Sequence, residues 1–322
     1  MLAKLTIYAW PVLTALLYLR LPRAEATMWA IAGAYLFLPQ RIGFDLPFLP
    51  AFNRDTAAVF AAVAVCIALD RRDARLGVGP ERRWLPESPT MRLLLLLLIV
   101  TPMLTALTNG DRIVIAGRVL PRLSPYDGLA GLNMQIMTVA PFLLARRYLG
   151  GADAQARALR VWVILGMVHA ALVLFEARLG PQVHELVYGF RHFGWVQQAR
   201  DGGYRPVVFL RHGLWTAIFT ATALIAAAAM WRTERGPSRP LYLGAVAFIG
   251  LALLFSRSFG AQALGLMFLP LALMAGRRLQ VLVAAAVAGT VLLYPMLRGV
   301  GVVPTQVIVE QVRAIDDERS RS

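Results

Sequence analysis

Arg178-Leu-Gly-Pro-Gln-Val-His184-Glu-Leu-Val-Tyr188-Gly-Phe-Arg191-His192-Phe-Gly-Trp195-Val-Gln-Gln-Ala-Arg200-Asp-Gly-Gly-Tyr204-Arg205-Pro-Val-Val-Phe-Leu-Arg211-His212 is the stretch from which the rest of the chain is best read. It holds three of the four histidines, five arginines and five glycines, and it joins two long apolar runs. A polar, basic segment between two such runs cannot build a core of its own. Loops this long in compact proteins are functional or disordered. The aromatic, Val and Phe residues in it are anchors, so it is expected to be ordered and functional.

The flanking runs set the fold class. The chain has 322 residues, 58% hydrophobic and 16% charged, with a mean hydropathy of +0.60. Soluble domains carry roughly a quarter charged residues. Apolar runs recur along the whole length and are continuous rather than alternating, which predicts helices rather than strands. Helices also satisfy their own backbone in lipid. The expectation is an all-α, polytopic membrane bundle forming a single domain over 1–322.

Taken in order, about ten spans are expected, given about 20 mostly apolar residues for a full crossing. They are Leu5 to Leu21, Ala26 to Leu38, Thr56 to Leu69, Leu93 to Leu107, Leu129 to Leu144, Val161 to Phe175, Gly213 to Met230, Leu241 to Phe255, Gly260 to Ala275 and Leu279 to Leu297. The prolines near Arg41–Pro50 and the Asn109-Gly110-Asp111 sequence mark loops. A large loop is expected over 177–211. A polar tail is expected over 298–322, helical around Gln306 to Arg319.

The net charge of +15 is almost all arginine, since Lys4 is the only lysine. In a soluble protein it would suggest nucleic acid. Here the arginines cluster at the ends of spans, where they set orientation. Asp70 to Arg92 carries six of them and is placed in the cytoplasm. The turns at Arg146, Arg232 and Arg277 then also lie inside. The large loop, the Asn109–Asp127 loop, Ser256-Arg257-Ser258, the tail and both termini lie outside. Cys66, the only cysteine, sits inside a span, so no disulfide or thiolate metal site is expected. The first span lacks an Ala-x-Ala-like exit and is expected to stay as a helix.

His212 is the sharpest candidate for chemistry. It stands where the loop meets a span, and an imidazole can act as a base near neutral pH. Arg205 and Arg211 crowd the same point. Arg257 sits between two apolar helices, where a cation is costly and suggests function. Guanidinium groups suit bidentate phosphate binding, so Arg205, Arg211 and Arg257 are expected to form one diphosphate clamp. His169 and Glu176, seven residues apart, share a helix face. His169 is expected to pack inside the bundle and Glu176 to pair with a loop arginine. His184 and His192 lack metal-ligand spacing, so no metal is expected. There is no Walker loop, dinucleotide fingerprint, nucleophile elbow or Asp-x-Asp motif, so no nucleotide cofactor is expected.

These residues carry a resemblance. The run Glu176…Arg178-Leu-Gly-Pro181…Tyr188-Gly-Phe190 is followed by Gly202-Gly203-Tyr204-Arg205-Pro206…Phe209…His212-Gly213-Leu214. Together they resemble the O-antigen ligase/polymerase superfamily of bacterial envelope glycan enzymes. Thr108-Asn109-Gly110-Asp111 and Phe255-Ser256-Arg257-Ser258 resemble further family landmarks. The likeness covers about Leu38 to the end.

The resemblance implies a GT-C-like glycosyltransferase in the bacterial inner membrane, its large loop periplasmic. It implies an undecaprenyl-diphosphate-linked glycan as donor, a sugar or lipid hydroxyl as acceptor, membrane lipids as surroundings and other polysaccharide-assembly proteins as partners. It requires no metal, nucleotide or other cofactor, and no nucleic acid. His212 would be the base, and Arg205 and Arg257 the diphosphate ligands, with Arg211 and Arg191 as further substrate contacts. Family members continue past Glu318-Arg319-Ser320 into more spans, so the sequence ending at Ser322 is expected to be truncated. Thr216 stands where some ligases have an asparagine, which favours a polymerase. The competing readings are a transporter or flippase for an anionic or lipid-linked solute and a non-catalytic envelope assembly protein. The scarcity of charge in mid-span disfavours a transporter.

Overall fold

The computed structural model describes residues 2–44, 51–78, 83–115, 118–194, 196–200 and 203–301. All ten apolar segments are helical: α1 (Leu2–Arg20), α2 (Arg23–Phe37), α3 (Arg54–Arg75), α4 (Pro89–Thr108), α5 (Pro125–Tyr148) and α6 (Ala152–Leu179) come first. A short α7 (Val183–Tyr188) follows inside the large loop. Then come α8 (Gly213–Thr233), α9 (Arg239–Phe255), α10 (Phe259–Met274) and α11 (Arg277–Gly299). The helix expected over Gln306–Arg319 lies outside the described residues.

Local chemistry sets the helix starts. Asn53 caps α3: its Oδ1 accepts the N–H groups of Asp55 and Thr56, while Thr56 Oγ1 accepts the Asn53 N–H. Ser124 and Asp127 make the same reciprocal pair at α5, with Pro125 in the first turn. The cap explains why α5 begins before the apolar run expected at Leu129. Among the described residues, three two-stranded antiparallel ribbons fill connections: β1 (Gly43–Phe44) with β2 (Phe52–Asn53), β3 (Ile113–Ile115) with β4 (Arg118–Leu120), and β5 (Ala199–Arg200) with β6 (Gly203–Tyr204).

Six of the described helices are long and apolar enough to cross a membrane: α1, α4, α5, α6, α8 and α11. This is the build of a multi-pass all-α membrane protein. α9 and α10 are apolar but shorter. α2 has 15 residues, and α3 carries four arginines among its 22. Neither belongs with the six, so the expected ten crossings are ten helices, of which these six meet the length and hydropathy of a span.

The chain divides into two compact units, Met1–Leu266 and Met267–Ser322. In the first, small residues let helices touch closely, the usual device where lipid removes the hydrophobic drive between them. A Cβ on Gly166 of α6 would lie 2.5 Å from the Ala223 Cβ of α8. One on Gly131 of α5 would lie 2.7 Å from the Pro102 Cβ of α4. Alanines dominate the buried face of α8. The leucines of α4 are largely exposed, a surface suited to acyl chains. The second unit holds the rest of α10 and α11. Gln280 of α11 donates to Leu271 O and Ala275 O at 3.1 and 3.3 Å, tying the turn between the two helices.

The helices of the first unit have two ends. At one, Arg147 meets Asp70 at 2.7 Å, Arg23 meets Asp73, and Arg157 meets Glu25 at 3.2 Å. At the other, α2 and α6 terminate under the large loop.

Candidate functional site

The loop is held by Glu176, in the last turn of α6. Its carboxylate is buried. Oε1 accepts the Val183 N–H at 2.8 Å, and Oε2 accepts those of Val207 and Val208 at 2.7 and 2.8 Å. The expected pairing with a loop arginine is therefore corrected: Glu176 binds backbone amides. A buried carboxylate needs such charge-assisted donors. They bring the returning chain, 31 residues on, back to the helix end.

Val207 to Leu210 is irregular backbone and fully buried. Buried amide and carbonyl groups need partners, and side chains from several elements supply them. Thr216 Oγ1 donates to Val207 O at 2.8 Å. Gln40 Nε2 donates to Phe209 O at 3.1 Å, and Arg54 Nη1 reaches the same oxygen at 3.5 Å. His192 Nε2 donates to Leu210 O at 2.8 Å. Val208 adopts φ +55°, a left-handed value unusual for a β-branched residue. Such strain persists only where the surroundings over-determine it.

His184 and His192 belong to this latch, their ring centroids 4.2 Å apart. His184 Nε2 accepts the Gln40 N–H at 3.2 Å, so its Nδ1 carries the proton and donates to Phe190 O at 3.0 Å. Burial pushes the His184 imidazole below its ordinary value and the His192 imidazole down to about 4. Both are built as neutral hydrogen-bonding groups. Among the described residues, no three His, Cys, Asp or Glu side chains cluster as a metal site would need.

The latched turn has Arg205 at one end and Arg211-His212 at the other. The Arg205 N–H donates to Gln198 O at 2.8 Å. Its Nε and Nη2 both donate to the Arg257 carbonyl at 3.3 Å. Arg257 follows α9 at φ +51°, between buried Ser256 and Ser258. Two glycines make this approach possible. A Cβ on Gly203 would lie 2.6 Å from Arg257 Cζ, and one on Gly213 would lie 2.3 Å from Arg205 Cγ and Cδ. Arg205 and Arg257 thus converge from positions 52 residues apart, beside the first residue of α8.

His212 is the N-cap of α8. Its Nδ1 accepts the Leu214 N–H at 3.1 Å. A neutral ring bonded this way carries its proton on Nε2. To accept a proton at neutral pH, the ring must release Leu214. Arg211 is exposed, next to the cap, and its charge acts on Arg54. Arg191, expected as a further substrate contact, donates its Nε to Glu185 at 2.9 Å.

Sequence reasoning missed Gln40, Arg54 and Gln198. Gln198 is fully buried, and among the described residues neither of its side-chain polar atoms has a hydrogen-bond partner. Arg54 was visible as a cation at the edge of an apolar run, but its bond to Phe209 spans 155 residues. His169 packs edge-on against Phe219 inside the bundle, centroids 5.0 Å apart, as expected.

Fold and site together define a class: a multi-pass helical membrane protein with a side-chain-latched loop and a converged pair of arginines at one end. No protein-family model, curated protein or solved structure matches the chain.

Proposed function

We propose that this protein is a bacterial inner-membrane glycosyltransferase of the O-antigen polymerase or ligase kind. It takes a glycan from undecaprenyl diphosphate at the outer face and passes it to a hydroxyl on a glycan or lipid. The observation that carries this reading is the convergence of Arg205 and Arg257 beside the capping residue His212. The Arg205 guanidinium is held on the Arg257 backbone carbonyl at a helix end, and guanidinium groups favour a phosphate-rich ligand.

In this account ten helices cross the membrane and the large loop is periplasmic. The arginine-rich connections after α3, α5 and α8 then face the cytoplasm, following the positive-inside rule. The lipid-borne donor reaches the clamp from the bilayer. The acceptor oxygen bonds to the anomeric carbon as the bond from that carbon to the diphosphate oxygen breaks. Arg205 and Arg257 stabilise the charge developing on the departing diphosphate. The proton of the acceptor hydroxyl passes to His212 once its ring has released Leu214.

The test is the surface-glycan profile of a deletion strain carrying the wild-type gene, His212→Ala or Arg205→Ala. The reading expects wild type to restore polymerised or ligated glycan, and both variants to insert normally yet fail. Restoration by both variants removes it. A cysteine at the highly exposed Val196 is expected to react with an impermeant maleimide in intact cells.

A further inference from the structure

A second site lies at the opposite end of the first unit. A cavity of about 840 Å³ opens between the α1–α2 turn, the end of α3, Trp84 and the α5–α6 turn. That is within the size range of small-molecule sites. Its wall contains four arginines, Arg23, Arg83, Arg147 and Arg157, against three aspartates.

Two of the aspartates are already committed. Asp70 accepts from Arg147 at 2.7 Å, from Trp84 Nε1 at 2.9 Å and from the Tyr148 hydroxyl at 3.1 Å. Asp73 accepts from Arg23. Their side chains are 18% and 15% exposed, whereas those of Arg23 and Arg157 are 37% and 47% exposed. Arg147 is only 6% exposed, so the accessible guanidinium groups are those of Arg23, Arg83 and Arg157, against the one exposed carboxylate of Asp153. The third, Asp153, is exposed in the first turn of α6. Glu25, behind Arg157, is bonded to it.

The backbone adds to this charge. α2 and α6 both begin at the cavity, behind Pro22 and Gly151, neither of which makes a side-chain cap. First-turn amides and the helix dipole favour an anion there. Trp84 and Tyr148 complete the wall, with Arg147 over both rings and Arg23 over that of Tyr148, and such aromatic residues sit at the headgroup level of membrane proteins.

We propose that this cavity binds a phosphate oxyanion, presented by the headgroup of an anionic membrane phospholipid. The arginines take the phosphate oxygens, and the aromatic side of the wall faces the glycerol. The site is independent of the clamp beneath the large loop and of the reaction assigned to it.

Thermal unfolding of the full chain in dodecyl maltoside tests this, with dioleoyl phosphatidylglycerol or inorganic phosphate added. The phospholipid is expected to raise the midpoint. A double variant, Arg83→Gln with Arg157→Gln, is expected to need about tenfold more lipid for the same rise, as loss of charge-assisted bonds to phosphate implies. Arg160→Gln, an exposed arginine on α6 outside the cavity, is expected to respond as wild type. If the double variant does not fold, Arg83→Gln alone serves. A rise with inorganic phosphate alone, lost in the variant, supports the oxyanion site and assigns it a soluble source. An equal response from variant and wild type, or no response to either addition, overturns the proposal.

Discussion

The carboxylate of Glu176 accepts the backbone N–H of Val208 at 2.8 Å, and that residue holds a left-handed conformation that valine rarely adopts. One buried side chain at the end of α6 therefore fixes the turn from which Arg205 and His212 emerge. Glu176→Gln keeps the size but turns an NH₂ group toward buried N–H donors. The loss is expected to be on the order of 3 kcal/mol, read as a lower unfolding midpoint in detergent. An unchanged midpoint would show that the carboxylate is not the latch.

The glycines at the clamp make a sharper distinction. Gly213→Ala would put a methyl group 2.3 Å from the stem of Arg205, and Gly203→Ala one 2.6 Å from the Arg257 guanidinium. At Gly203 only the Arg257 side chain must move, whereas at Gly213 the Pro206 carbonyl oxygen, 2.9 Å from the new methyl, must shift as well. Gly203→Ala is expected to insert and unfold nearly as wild type, yet to fall about tenfold or more in glycan transfer; Gly213→Ala is expected to lose transfer and, because the Pro206 carbonyl must shift, some stability as well. Full transfer by either variant would mean that the arginine placement is not required.

His212 combines a structural and a chemical part, and substitution separates them. Asparagine is among the best N-caps and can accept the Leu214 N–H in place of Nδ1. His212→Asn is expected to retain stability within about 0.5 kcal/mol and to lose transfer activity. His212→Ala is expected to lose activity and, with the cap gone, about 1 kcal/mol of stability. Activity retained in His212→Asn would assign the residue to capping alone.

The buried histidines give the latch a pH dependence whose sign is fixed. The folded-state value of His192 is depressed to about 4, below the ordinary value of about 6.5. Between these values the unfolded chain binds a proton that the folded chain does not. Stability therefore falls as pH drops through about 6.5 and levels off near 4, by about 1.4 kcal/mol per unit inside that window. His184 is shifted the same way. His192→Gln, which can still donate to Leu210 O, is expected to flatten the curve between pH 6.5 and 5. Parallel curves for the two proteins would contradict this.

Much of the fold was legible because a membrane span is written in one dimension. Each of the ten apolar runs became a helix, and the caps at Asn53 and Ser124 account for starts that lie outside the runs. The sequence marked Arg205, Arg211 and Arg257 at helix boundaries, and the structure brings the Arg205 side chain onto the Arg257 carbonyl while Arg211 stands exposed beside the cap. The support beneath them was not legible. A carboxylate among arginines reads as an ion pair, yet Glu176 found backbone amides because the loop folds over it. The bond from Arg191 to Glu185, six residues back, was not legible either. Gln40 and Arg54 reach Phe209 across 169 and 155 residues, a relation that no local pattern encodes.

The central claim is that Arg205 and Arg257 grip a lipid-linked diphosphate. Equilibrium binding of undecaprenyl diphosphate to the purified full chain measures it directly, with undecaprenyl alcohol as the control. The account predicts binding of the diphosphate well above that of the alcohol. It also predicts a loss of about tenfold or more for Arg205→Ala and for Arg257→Ala, the expected cost of one charge-assisted phosphate contact. Equal binding of diphosphate and alcohol, or wild-type affinity in both variants, would contradict it.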